Sequence, residues 1–124
     1  MVDISNKSET KRMAHARALV RLGEDARRVA ESDGGRKGEL WATARLAGIM
    51  AAKKTDDLIP LCHGLALTSV EVDMSLVELG IQIDAKAHTS GRTGVEMEAM
   101  TAASVAALTV YDMLKFSGSE KKKK

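Results

Sequence analysis

The sequence predicts an α+β domain in which helices pack on one face of an antiparallel sheet. Three observations lead there. Two neighbouring segments, "SVEVDMSL" and "GIQIDAKAH", alternate apolar and polar residues across a short link. A third alternating segment lies near the N-terminus, and two longer stretches carry apolar residues at helical spacing. With 124 residues, the chain has room for one core and not for two independent ones.

The first dozen residues, "MVDISNKSETKR", are polar and are expected to form an arm pinned by Val2 and Ile4. From Ala14 to Leu22 the even positions are apolar, while His15, Arg17 and Arg21 alternate with them, which predicts a half-buried strand. "GEDARRVAES" (23–32) reads as a short polar helix closed by a turn, "DGGRKG", with Gly34, Gly35 and Gly38. In residues 40–54, Leu40, Ala44, Ala47 and Ala51 form one stripe, with Leu46, Ile49 and Met50 beside it. This predicts a helix buried on most sides, with Lys53 and Lys54 at the favourable end of its dipole. Helical structure must end well before Pro60.

Val70, Val72, Met74 and Leu76 then face inward on one strand, and Ile81, Ile83, Ala85 and Ala87 on the next, linked around Glu78–Gly80 as a hairpin. A long helix is expected over about Val95–Lys115, with Met100, Ala103, Ala107, Val110 and Leu114 inward. Residues 1–115 read as a single domain. Residues 116–124, "FSGSEKKKK", read as a disordered basic tail.

Composition narrows the function. The net charge is +2, but Lys121–Lys124 supply four positive charges, so the remainder carries −2. With one Phe, one Trp and one Tyr to stack on bases, nucleic-acid binding is poorly supported. No apolar run approaches a membrane span and no signal peptide is expected, and a single Cys suggests a reducing, cytoplasmic setting. An aromatic-poor core of Ala, Val, Leu, Ile and Met favours oligomerisation.

Three constellations carry candidate chemistry. Cys62 and His63 are adjacent, and no second Cys or HxxxH spacing completes a zinc set, so no metal is expected. A cysteine nucleophile would need a nearby base in an electropositive pocket. On composition alone a buried Cys beside a satisfied His is favoured. In "TSGRTGVEMEA" (89–99), Gly91 and Gly94 allow close backbone approach, Arg92 supplies a fork for phosphate, and the following helix offers free N–H groups. The competing reading is a capping box, Thr93 with Glu96. If the segment stays extended to Glu98, Glu96 and Glu98 point the same way; inside a helix they diverge. Both readings stand. Asp112 and Lys115 share a helix face, either as a surface ion pair or as a mutually tuned proton donor and acceptor. Lys37 lies between glycines, where a solvated loop lysine is the ordinary reading.

Taken together, "MVDIS", "KGELWATARLAGIMAAKKTDDLIPLCH", "LTSVEVD" and "GRTGVEMEAMTAASVAALTVYDMLK" closely resemble the cyclic pyranopterin monophosphate synthase family, MoaC, of molybdenum cofactor biosynthesis. These stretches span most of Met1–Lys115 in the family's order, and long ungapped motifs are highly specific. The resemblance implies a ferredoxin-like α+β subunit assembled as a hexamer, a trimer of dimers. It also implies a lyase taking 3′,8-cyclo-7,8-dihydroguanosine triphosphate to cyclic pyranopterin monophosphate with release of pyrophosphate, without a redox cofactor. By motif, "LCH" (Leu61, Cys62, His63) and "EME" (Glu96, Met97, Glu98) are substrate-contacting. Asp112 is the catalytic aspartate with Lys115 its partner, Lys37 is the family's loop lysine, and Arg12 its N-terminal arginine. His63 and Arg12 would hold phosphate or ribose oxygens, Lys37 and Lys115 would shuttle protons, and parts of the site would come from two subunits.

Two departures stand out. The family reads "CHP" where this chain has Cys62–His63–Gly64, which loosens the loop more than the chemistry. After "YDMLK" the family continues through another strand and a glycine- and lysine-rich loop with a further essential lysine, whereas Phe116 here leads into "SGSEKKKK". An omitted segment is the favoured expectation. The others are substitution by Lys121–Lys124 and a catalytically impaired, oligomeric nucleotide- or pterin-binding paralogue.

Overall fold

The computed structural model describes residues 11–32, 34–60, 66–91 and 94–115, with the backbone alone at 32 and 34–38. The expected N-terminal arm, the Leu61–Cys62–His63 corner, Arg92, Thr93, the side chain of Lys37 and the 116–124 tail lie outside the described residues. In chain order the elements are β1 (Arg12–Arg21), α1 (Glu24–Ser32), α2 (Gly34–Lys53), α3 (Thr55–Leu58), β2 (Leu67–Val77), β3 (Gly80–Thr89) and α4 (Glu96–Leu114).

The sheet has the order β1-β3-β2, and both neighbours run antiparallel to β3. β1 and β2 are thus parallel, with β3 inserted between them and three helices in the crossover. This is the split βαβ unit on which ferredoxin-like subunits are built. The hairpin link is two residues, Glu78 and Leu79, because Val77 pairs with Gly80. A side chain at Gly80 would run into the Val20 carbonyl, so the hairpin meets the end of β1 backbone to backbone. There Leu22 N–H donates to the Leu79 carbonyl at 3.1 Å.

Alternation fixes the faces. Ile81, Ile83, Ala85 and Ala87 on central β3 are fully buried, while the inward residues of edge strand β1 are half-buried. Burying each isoleucine contributes about 1.5–3 kcal/mol. The helices cover this face at close range because their contact stripes are small. Gly48 of α2 lies so near α4 that an added Cβ would sit 2.9 Å from the Ala102 carbonyl oxygen and 3.3 Å from the Ala106 Cβ.

Several expectations change. The turn predicted at Gly34–Gly38 is helical, and α2 runs from Gly34. Glycine costs about 1 kcal/mol relative to alanine in a helix, which packing along the rest of α2 can offset. Leu40, Ala44 and Ala51 are buried, but α2 is not buried on most sides: Leu46 is 58% exposed and Met50 points outward with it. Two residues past Ala44, Leu46 lies about 200° around the helix, so the packing that buries Ala44 turns Leu46 to solvent. Met50 follows it one turn later on the same side. On α4, Ala103, Val110 and Leu114 are buried as expected, but Met100 is 46% exposed, lying just past the stripe of Ala99, Ala102, Ala103 and Ala106. Helical structure reaches Leu58, nearer Pro60 than expected. It stops there because Ile59 takes the extended conformation (φ −109°, ψ 113°) that a residue preceding proline favours.

Candidate functional site

One end of the sheet is organised around Thr89. This residue closes β3, pairs with Arg12 on β1 and with Leu67 on β2, and is almost fully buried. Its hydroxyl donates to the Ala66 carbonyl at 2.6 Å and accepts from the Gly91 N–H at 3.1 Å. Arg12 Nε then donates to the Gly91 carbonyl at 3.3 Å. Gly91 is therefore held from both sides, and Arg12 is fixed against the segment entering α4. A cleft of about 290 Å³ opens here, lined by Lys11, Arg12, Thr68, Ser69, His88 and Ser90 together with Thr89. Two cations and four hydroxyls suit an anionic ligand.

The start of α4 takes the helical alternative: Val95 is the N-cap and makes no side-chain cap, and the chain is not extended to Glu98, because α4 begins at Glu96. The Thr93 half of the expected capping box lies outside the described residues. Burial of Val95 against Ala87 and Ala99 sets where the helix starts. Glu96 and Glu98 consequently diverge. Glu96 is exposed, and its carboxylate lies where a Gly94 Cβ would come within 2.5 Å of both oxygens. Glu98 turns inward and is 3% exposed. Met97 between them is half-buried.

At the other end of α4, Lys115 Nζ pairs with Asp112 Oδ1 at 2.8 Å. The hydrogen bond to Asp112 raises the Lys115 pKa above its ordinary value, and the aspartate's charge adds to it, so this lysine is an ammonium at neutral pH. A cleft of about 420 Å³ adjoins it, between Val20–Ala26 and Tyr111, Leu114 and Lys115. At 1.5 Å per residue, Glu96 and Asp112 are about 24 Å apart along α4. One subunit thus brings Arg12 to the end where Glu96 and Glu98 lie, and holds Asp112 with Lys115 at the opposite end. Lys37 belongs to the first turns of α2.

Sequence reasoning overlooked Thr89 as an anchor, although a threonine two residues before a loop glycine is a known turn device that could have flagged it. It also missed an ion cluster on the open sheet face. Asp84 Oδ1 lies 2.7 Å from Arg17 Nε and 2.8 Å from His15 Nε2, and Gln82 Nε2 donates to Oδ2 at 3.1 Å. The Arg17 hydrogen bond is the main cause that holds the Asp84 pKa down to about 2, against the opposing effect of burial. Only the β1–β3 register, in which Arg17 pairs with Asp84, reveals this group. Among the described residues no three His, Cys, Asp or Glu side chains gather as a metal site requires, and no helix is long and apolar enough to cross a membrane.

The split βαβ arrangement, with two cations lining a cleft at one end and a lysine–aspartate pair at the other, defines a ferredoxin-like α+β protein. The chain belongs to the MoaC family, whose pattern matches residues 1–122. It is 56% identical over 115 residues to proteins named cyclic pyranopterin monophosphate synthase 2 from Mycobacterium bovis and Mycobacterium tuberculosis, covering 93% of this chain and 69% of each relative. A protein named cyclic pyranopterin monophosphate synthase from Novosphingobium aromaticivorans is 55% identical over 115 residues, covering 93% of this chain and 73% of its own.

Proposed function

We propose that this protein is the lyase that converts 3′,8-cyclo-7,8-dihydroguanosine triphosphate to cyclic pyranopterin monophosphate, releasing pyrophosphate, in molybdenum cofactor biosynthesis. The observation that carries the reading is family membership along residues 1–122 together with 55–56% identity to synthases. The residues fit the chemistry. A triphosphate needs cations and hydrogen-bond donors, and Lys11, Arg12, Thr68, Ser69 and Ser90 line the cleft at that end of the sheet. Ring rearrangement needs proton transfers at several atoms. Lys115, kept protonated by Asp112, acts as a proton donor, with Asp112 orienting it.

Lys37 is the second proton carrier, and His63 holds phosphate or ribose oxygens. Leu61, Cys62, Met97, Glu96 and Glu98 complete the substrate's surroundings. Because Glu96 and Asp112 are separated by about 24 Å in one chain, each site is assembled from two copies, within a hexamer built as a trimer of dimers. The setting is cytoplasmic. The test is incubation of the pure protein with the cyclised GTP substrate, assaying pyrophosphate and cyclic pyranopterin monophosphate together. Tight binding without either product would overturn the reading.

A further inference from the structure

We infer that the cleft beside Lys115 seats the bicyclic ring of the substrate, stacked on Tyr111 and read along its amino edge by Glu24. The ring's identity rests on the lyase reading, but the cleft itself belongs to the fold. Its volume of about 420 Å³ falls within the roughly 300–1,000 Å³ usual for small-molecule sites. Val20, Leu22, Ala26 and Leu114 give it an apolar wall. Tyr111, the chain's one tyrosine, lines the same cleft and is 61% exposed, so a flat ring can reach its face. Lys115 stands beside this space, held by Asp112 at 2.8 Å. A proton donor in ring rearrangement must reach ring atoms, and the cleft puts them within its range. The cleft at the Arg12 end is instead lined by cations, hydroxyls and an imidazole, which suits phosphate.

The wall from Val20 to Ala26 is fixed by the protein's own hydrogen bonds. Leu22 N–H donates to the Leu79 carbonyl at 3.1 Å, and the Arg27 N–H to the Gly23 carbonyl at 3.0 Å. Arg27 Nη1 donates to the Val77 carbonyl at 2.6 Å and to the Glu78 carbonyl at 3.2 Å. The end of β1, the start of α1 and the hairpin are thereby tied into one frame, and a ring entering the cleft meets a preformed surface. Two carboxylates line it, Glu24 and Asp25. Asp25 is drawn back to Arg28 Nη1 at 2.9 Å, which leaves the ring edge to Glu24. A guanosine-derived ring presents an N–H beside an amino group along one edge, and a carboxylate accepts from both at once. Gly23 keeps the space open between these groups: it lines the cleft, and a Cβ there would meet nothing within 4 Å.

Calorimetry on the full-length protein tests this, with guanosine triphosphate, inosine triphosphate and inorganic tripolyphosphate as probes. Inosine lacks the amino group, so wild type should bind guanosine triphosphate about tenfold tighter or more, the worth of one hydrogen bond to a charged group. Glu24→Gln, which keeps the side chain's shape, should bring the two nucleotides close together in affinity. Gly23→Leu should fill the cleft and weaken guanosine triphosphate by about tenfold or more, while tripolyphosphate binds as before. Circular dichroism checks that each variant folds, and Glu24→Gln decides alone where Gly23→Leu does not. Equal binding of the two nucleotides by wild type, binding of neither, or guanosine triphosphate affinity unchanged in the folded variants overturns the ring site. Binding reads out without turnover. Wild-type protein that prefers guanosine through Glu24 yet forms no product would remove the lyase reading and leave the ring site standing. An active protein whose KM neither variant alters would do the reverse.

Discussion

Replacing Thr89 by Val should loosen the end of the sheet proposed to bind phosphate while leaving the fold intact. Valine matches threonine in shape, so no cavity opens, and only the hydroxyl is lost. That hydroxyl makes two hydrogen bonds in an almost fully buried position, to the Ala66 carbonyl at 2.6 Å and from the Gly91 N–H at 3.1 Å. An unsatisfied buried group costs about 1–3 kcal/mol, and an average intramolecular hydrogen bond contributes about 1 kcal/mol net. Ala66 is exposed and Gly91 only half-buried, so water can serve both, and we expect a loss of about 1–2 kcal/mol. The functional effect should be larger in KM than in kcat, since freeing Gly91 also frees the carbonyl that Arg12 holds. Urea unfolding followed by circular dichroism gives the stability, and steady-state kinetics the rest. Thr89→Ser is the control, because it keeps the hydroxyl and loses only a methyl group. If Thr89→Val matches wild type while Thr89→Ser is worse, the methyl group matters and the anchoring argument is wrong.

Three further outcomes follow from other parts of the molecule. Lys115→Met should abolish turnover while sparing substrate binding measured by calorimetry; retained product formation would remove Lys115 from the chemistry. Gly48→Ala should destabilise by about 1 kcal/mol in thermal melts, since crowding costs of about 1–3 kcal/mol exceed the helix-propensity gain of about 1 kcal/mol. A higher melting temperature would show that α2 and α4 separate without cost. Asp84→Asn should cost about 1 kcal/mol at neutral pH, because a drop from 3.8 to about 2 corresponds to about 2 kcal/mol and solvent on the open sheet face screens part of it. The folded pKa is depressed, so this contribution is complete above about pH 4 and fades as pH falls toward 2; a difference between variant and wild type that persists at pH 2 would contradict it.

The parts of the fold that could be read from the chain are those where one periodicity decides one face. Val70 to Leu76 and Ile81 to Ala87 alternate cleanly, and the two-residue link between their strands leaves a hairpin as the only economical pairing. What escaped reading depends on contacts between distant segments. Three glycines around Lys37 look like a turn because local preference disfavours helix there, yet the chain is helical from Gly34. Leu46 and Met50 look like core because hydrophobicity does not say which of two apolar stripes meets the sheet. Asp84 looks like any outward acid until register sets Arg17 opposite it. For the site, motif resemblance supplied candidate residues whose grouping periodicity alone could not show. The separation of Glu96 from Asp112 was implicit in helix length alone, but its meaning depended on α4 being one unbroken helix.

That unbroken helix leads to a last expectation, about concentration. Alanine and glycine along the inner stripe let α4 lie close against α2, and the large side chains are left on the outer stripe. The arrangement makes α4 a rigid spacer between the two groups of proposed site residues, and no motion within one unbroken helix can bring its ends together. A lone subunit should therefore fold and yet be inactive. Turnover per subunit should stay constant while the assembly persists, then fall in proportion to the assembled fraction once dilution passes its dissociation constant. Mass photometry on the same dilution series reports that fraction independently. The two curves should coincide, whereas full specific activity in samples shown to be monomeric would mean that one chain completes a site by itself.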